Sequence, residues 1–364
     1  MSPFAEQDLV VAALRAPKQV LALPPVAWDL LVRQARAAGL LARLASMLQA
    51  QGLLADVPNA PVAHLRAALQ VAAAQRVEVQ REIAHVRDAL RELPGRLILL
   101  KGAAYVAAGL PAAEGRLFSD TDILVPKDQL PAAESALLLR GWAGTHHSAY
   151  DQHYYRHWMH ELPPLVHLRR QTALDVHHAI APETARLRPP SALLLAAAVP
   201  IAGDGGLATL APADMVLHSM LHLDVNDELA HALRDLSDLD LLLRHFGADA
   251  AFWPQLVARS HQLGLARVLH DWLRRAVRIL QTPVPPAALA GVVDAAPGAL
   301  RGRLMDALWL QALRPRHRSL LGTGSRLALT GLYLRAHWMR MPAGLLVRHL
   351  TVKALRRPDA SATQ

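Results

Sequence analysis

The chain has 364 residues, of which 52% are hydrophobic, 19% charged and 4% aromatic, and it contains no cysteine. At about 150 residues per domain this suggests two or three domains with an ample core. It excludes global disorder, a disulfide framework, a thiolate metal site and a cysteine nucleophile, so any metal must rest on Asp, Glu, His or backbone oxygen. The net charge of +9 lies in residues 301–364, which hold 12 Lys and Arg against two Asp, whereas the first 300 residues sum to −1.

Residues 1–93 read as helices. Trp28, Leu30, Leu31, Leu40, Leu41, Leu44 and Leu48 recur at helical spacing, and a second pattern runs from about Val62 to Leu93. Met1–Glu6 show no basic segment followed by an apolar core, so no secretory leader is expected. No uncharged apolar run reaches the roughly 18–20 residues that cross a bilayer. A soluble, cytoplasmic protein is the expectation.

The pattern then changes. Leu97-Ile98-Leu99-Leu100 is a continuous apolar run, as in a buried strand, and Lys101-Gly102 ends it and opens a short helix. Lys101 is one of only four lysines, and it interrupts apolar sequence where a charge is costly unless paired or used. Asp120-Thr121-Asp122-Ile123-Leu124-Val125 reads as a second strand, followed by a helix over about 130–140 stopped by Gly141. From Trp142 to His178 the pattern predicts strands, among them Tyr154–Trp158, Leu165–Leu168 and Ala173–His177. After Pro189-Pro190 it predicts helices almost to the end. The fold class expected is α+β: a helical region at 1–93, a mixed-sheet α/β core at 94–185, a helical domain with a basic end at 186–357, and a disordered tail at 358–364.

Chemistry is concentrated in the α/β core. Side chains two apart on a strand share a face, so Asp120 and Asp122 point the same way. Two adjacent carboxylates repel unless a cation or a proton lies between them, and hard oxygen donors suit Mg²⁺, with Mn²⁺ as the alternative. Asp175, between Leu174 and Val176, would face outward with His177. If its strand lies beside that of Asp120, three acids meet on one face, as in two-metal phosphoryl transfer. Lys101-Gly102 at a helix start, together with Arg116, suits phosphate oxygens. Taken singly, each signal is weak; a D-x-D pair at a strand end is more often a surface feature.

The order of these motifs carries a resemblance. Leu99-Leu100-Lys101-Gly102-Ala103-Ala104, Arg116, Ser119-Asp120-Thr121-Asp122-Ile123-Leu124-Val125-Pro126, Gly141-Trp142 and Leu174-Asp175-Val176-His177 together resemble an uncharacterised bacterial nucleotidyltransferase family of the DNA polymerase β superfamily. The likeness continues more loosely through Asp214, His218, His222, Arg234 and Asp238. It implies a small mixed-sheet core with helical flanks, two Mg²⁺ ions held by Asp120 and Asp122 with Asp175 as third carboxylate, and phosphate contacts from Lys101, Gly102, Arg116 and Ser119. It implies an NTP such as ATP as donor of an NMP group, an acceptor of unknown class (small molecule, protein or RNA), and release of pyrophosphate. The chain departs from the family pattern at Lys101-Gly102, where many superfamily members have a Gly-Gly-Ser or Gly-Ser turn. A non-catalytic nucleotide-binding or scaffold protein is the alternative.

Two other features have more than one reading. Eight of the 19 histidines fall between His146 and His178, so a histidine zinc site and polar lining of a cleft are both open; His177, His218 and His222 are candidate cleft residues. The basic C-terminal stretch, with Leu332, Tyr333, Leu334, Trp338, Met339, Leu345, Leu346 and Leu350, could meet nucleic acid or an anionic membrane, though such helices more often pack on their own protein.

Overall fold

The computed structural model describes residues 8–145 and 149–346, without the side chains of residues 149, 151, 153 and 157. The expected tail at 358–364, His146, Leu350 and the side chains of His153 and His157 lie outside the described set. Four helices open the chain: α1 (Leu9–Arg15), α2 (Pro25–Ala37), α3 (Leu41–Ala50) and the 31-residue α4 (Asn59–Ala89). The core follows as β1 (Leu97–Leu100), α5 (Lys101–Ala107), β2 (Asp120–Leu124), α6 (Leu130–Leu139), β3 (Trp142–Gly144), α7 (Ala149–Trp158), β4 (Leu165–His167) and β5 (Ala173–His177). Then come α8 (Ser191–Ala196), β6 (Val199–Ile201), β7 (Asp204–Thr209), α9 (Pro212–Val225), α10 (Ala232–Phe246), α11 (Phe252–Gln262), α12 (Ala266–Leu280), α13 (Pro286–Ala290), α14 (Ala299–Ala312) and α15 (Thr323–Arg340).

The fold is α+β, built on one seven-stranded mixed sheet in the order β3-β4-β5-β2-β1-β7-β6. β1 is buried at all four positions, as its unbroken apolar run requires of a central strand. It pairs antiparallel with β2 and parallel with β7. β2 runs parallel to β5, with Asp122 opposite Asp175 and Ile123 opposite Val176. Gly141 follows α6 at φ +95°, a left-handed stop that lets the chain turn into β3. A single apolar core joins residues of the N-terminal helices, the sheet and the C-terminal helices.

Two sequence expectations need correction. Tyr154–Trp158 lies in helix α7, not in a strand. Aromatic residues favour strands intrinsically, but Tyr150 and Tyr154 both meet the Trp158 ring edge-on, a contact that helical spacing creates. The segment after Pro190 is also not helical throughout. The hairpin β6–β7 extends the sheet past residue 185, and Pro200 is tolerated because β6 is the edge strand.

The basic helix α15 packs against α14 and α9, burying Ala328, Leu332, Ala336 and His337. Arg335 pairs with Asp224 at 2.7 Å, Arg340 with Asp227 at 2.9 Å, and Arg186 stacks on Trp338 at 4.1 Å. Part of this region's charge is therefore used within the chain. Among the described residues no helix is long and apolar enough to cross a membrane.

Candidate active site

The strand register assembles the site. Asp120 and Asp122 project from one face of β2, and β5, about 4.8 Å away, sets Asp175 directly beside Asp122. Leu174 and Val176 alternate with Asp175 on β5 and are buried in the core. These acids lie in a cleft of about 770 Å³ between the sheet and helices α7, α9, α10 and α15. Lys101, Gly102, Arg116, Ser119, His177, His218 and His222 line the same cleft, so every site residue singled out from sequence borders one space.

Asp122 is the hub. Its Oδ1 accepts from Lys101 Nζ at 2.8 Å and from His177 Nε2 at 2.9 Å. Burial alone would raise its pKa, but the Lys101 charge and the His177 hydrogen bond overcome that and hold it well below the usual carboxylate range. At Asp175 burial, and then the charges of Asp122 and Glu161, lift the pKa to about 7; the His177 charge lowers it but is outweighed. Asp120 is also raised, by burial and by Asp122, although Ser119 Oγ donates to it at 3.0 Å.

Lys101 adopts φ +44°, a left-handed conformation that side chains rarely take and that glycine adopts freely. It thus occupies a backbone position suited to glycine while sending its ammonium to Asp122. The next position tolerates nothing larger than glycine without movement, because a Cβ on Gly102 would lie 2.8 Å from Phe118 Cδ1. The α5 helix has only seven residues, so the lysine charge, rather than a long helix dipole, supplies positive potential at this turn.

Arg116 borders the cleft, but its guanidinium is engaged elsewhere. Nε donates to Asp238 Oδ2 at 2.8 Å, and Nη1 donates to the Leu117 carbonyl at 3.1 Å. A phosphate contact from Arg116 would have to be shared with Asp238. Asp214, another residue of the looser likeness, is clasped by Arg259 at 2.6 and 2.8 Å and ties α9 to α11. His218 and His222 lie one turn apart on α9 and face the cleft. Burial, reinforced by Lys101, pushes His218 down to about 3 and His222 well below the ordinary histidine value, so both are neutral imidazoles.

Sequence reasoning missed Glu161. Its Oε2 lies 3.2 Å from His177 Nδ1, so His177 is held between two carboxylates. Its only sequence signal is a charge next to His160 just before Leu162-Pro163-Pro164. Asp238, part of the looser likeness, is buried and bridges Arg43 and Arg116.

Asp122 and Asp175 set hard oxygen donors, of the kind that suits Mg²⁺ or Mn²⁺, side by side, with Asp120 on the same face of β2. Burial first, and the Asp122 charge second, raise the pKa values of Asp120 and Asp175. Among the described residues, two groups have ligand atoms mutually within 4.8 Å: Asp122, Asp175 and His177; and His160, Glu161 and His177. Asp120 belongs to neither, since its carboxylate turns toward Ser119.

No curated protein and no solved structure matches the chain. A family model described as "Uncharacterised nucleotidyltransferase" matches residues 24–281, spanning the cleft floor, the Lys101-Gly102 turn and the histidines of α9. The chain therefore belongs to this nucleotidyltransferase family.

Proposed function

We propose that the protein transfers an NMP group from an NTP to a hydroxyl-type acceptor and releases pyrophosphate, with dependence on a divalent cation. The observation that carries this reading is the β2–β5 register, which sets Asp175 beside Asp122 in a cleft where four acids face Lys101 and His177. Asp120, Asp122 and Asp175 would hold Mg²⁺, two ions by the family resemblance or Mn²⁺ in its place; when bound, such cations screen phosphate charge and acidify the acceptor hydroxyl.

The chain's own groups do the rest. Lys101, at 2.8 Å from Asp122, fixes that carboxylate and places an ammonium where phosphate oxygens would lie. Gly102 keeps this turn close to the cleft floor, and Ser119 holds Asp120. Asp175 would take the acceptor proton. The acceptor oxygen forms a bond to the α-phosphorus, the α–β anhydride bond breaks, and its electron pair leaves with pyrophosphate. His218 and His222, uncharged and on the opposite wall, offer hydrogen bonds to a substrate without adding charge.

The test uses NTPs labelled at the α- or the γ-phosphate, each incubated with the purified chain, Mg²⁺ and a cell extract. The α-label should move to an acceptor while the γ-label leaves as pyrophosphate. Transfer of the γ-label to an acceptor, or its release as orthophosphate, would refute the proposal.

A further inference from the structure

Beside the carboxylate set lies a group of different chemistry. His160, Glu161 and His177 bring two imidazoles and one carboxylate together with ligand atoms mutually within 4.8 Å. Backbone pairing fixes the arrangement. Glu161 and His177 form an antiparallel bridge, Leu162 N–H donates to Val176 O at 2.9 Å, and His178 N–H donates to His160 O at 2.8 Å.

Spacing suits a shared ion. Ligands on one tetrahedral ion with bonds of about 2.0–2.1 Å lie roughly 3.3–3.4 Å apart. His177 Nδ1 is 3.2 Å and His160 Nε2 4.0 Å from the same Glu161 oxygen, so small side-chain rotations would seat a cation among them. His177 also has an outer partner. Asp122 Oδ1 lies 2.9 Å from His177 Nε2, so a cation that displaced the proton between His177 Nδ1 and Glu161 would complete the carboxylate–histidine–metal arrangement found around metal-bound histidines. His160 Nε2 is the ring atom that faces Glu161, and its Nδ1 is buried with no hydrogen-bond partner among the described residues.

We propose that His160, Glu161 and His177 form a binding site for one divalent transition metal of the zinc class, separate from the oxygen-rich set at Asp120, Asp122 and Asp175. Imidazole nitrogens select such ions over Mg²⁺, which prefers oxygen ligands and retains its water. Asp122 then serves both sets, as an oxygen donor to one and as the orienting partner of His177 in the other. This site does not depend on the nucleotidyl-transfer reading, because its readout needs no nucleotide.

The experiment titrates the EDTA-stripped full chain with Co²⁺ in excess Mg²⁺ and follows visible d–d absorption. One equivalent should bind. His160→Ala and Glu161→Gln should each weaken binding by about 100-fold or more, Asp122→Asn by about 10–100-fold, and Asp120→Asn should keep it. His160→Cys gives a readout by gain of signal: a thiolate at this position, in a chain without cysteine, should add a sulfur-to-cobalt charge-transfer band. That variant decides the matter if His160→Ala fails to fold. No saturable absorption at one equivalent would overturn the site and leave His177 and Glu161 as an ion pair only. Absorption lost in Asp120→Asn, with no new band in His160→Cys, would equally overturn it and place the metal on the carboxylates.

Discussion

Two buried acid clusters border the same cleft and behave in opposite ways. On α10, Asp238 accepts from Arg43 Nη1 at 2.6 Å and from Arg116 Nε at 2.8 Å, and Arg43 also donates to Ser237 Oγ and to the carbonyls of Ala112 and Glu114. Burial opposes ionisation of Asp238, yet these arginines hold it below the usual range. On the cleft floor, Asp122 pairs with Lys101 and His177, Glu161 pairs with His177, and Asp175 is left with a pKa near 7. A saturated cluster holds α3, α10 and the Arg116 loop together. The cluster with unbalanced charge is the one that gains from a cation, and it is where family membership and geometry agree.

Substitutions can break this contrast, and the largest effect should come from Asp175→Asn. Activity should fall about 10³-fold, as for loss of a group aimed at developing charge. Stability should move the other way. The folded pKa of Asp175 is raised from 3.8 to about 7, so its protonated form favours folding; that contribution is complete below about pH 3.8 and is lost as pH rises through about 7. In metal-free protein at about pH 8, Asp175→Asn should therefore melt above wild type, with the gap closing in acid. A variant that melts lower at both pH values would contradict the assignment.

Asp238→Ala should show the reverse pattern, with a loss of about 3–5 kcal/mol in urea unfolding because the buried Arg43 charge loses its carboxylate. A loss under about 1 kcal/mol would mean that the cluster does not hold these helices. Gly102→Ala should cost about 1–3 kcal/mol through overpacking against Phe118. A double-mutant cycle with Phe118→Ala checks this, since the two costs should not add if the clash is real. Least affected should be the exposed pair of Arg156 with Glu134, where Arg156→Gln changes stability by under about 1 kcal/mol.

Much of the site was legible because it rests on local patterns. The unbroken apolar run before Lys101, the alternation around Asp120 and Asp122, and Asp175 between two core residues each encode a strand and a face. Their convergence follows from the β2–β5 register. What escaped depends on contacts distant in sequence. Helix α7 is built from aromatic residues with strand preference and is settled by ring packing against Trp158. The β7 strand, Asp204-Gly205-Gly206-Leu207-Ala208-Thr209, lies where helix was expected and forms a strand by pairing with β1 and β6. Glu161 has no periodic signal and acquires meaning only across the bridge to His177. Asp238 looks like one more helix charge until Arg43, distant in sequence, is brought onto it.

The proposed function rests on metal-dependent nucleotidyl transfer by the acids on β2 and β5. Its most direct test measures pyrophosphate release by wild type and Asp122→Asn side by side, with and without Mg²⁺, alongside a thermal melt of each. Release that requires Mg²⁺ in wild type and disappears in a folded Asp122→Asn protein is the predicted result. Equal release by the two proteins would contradict the claim.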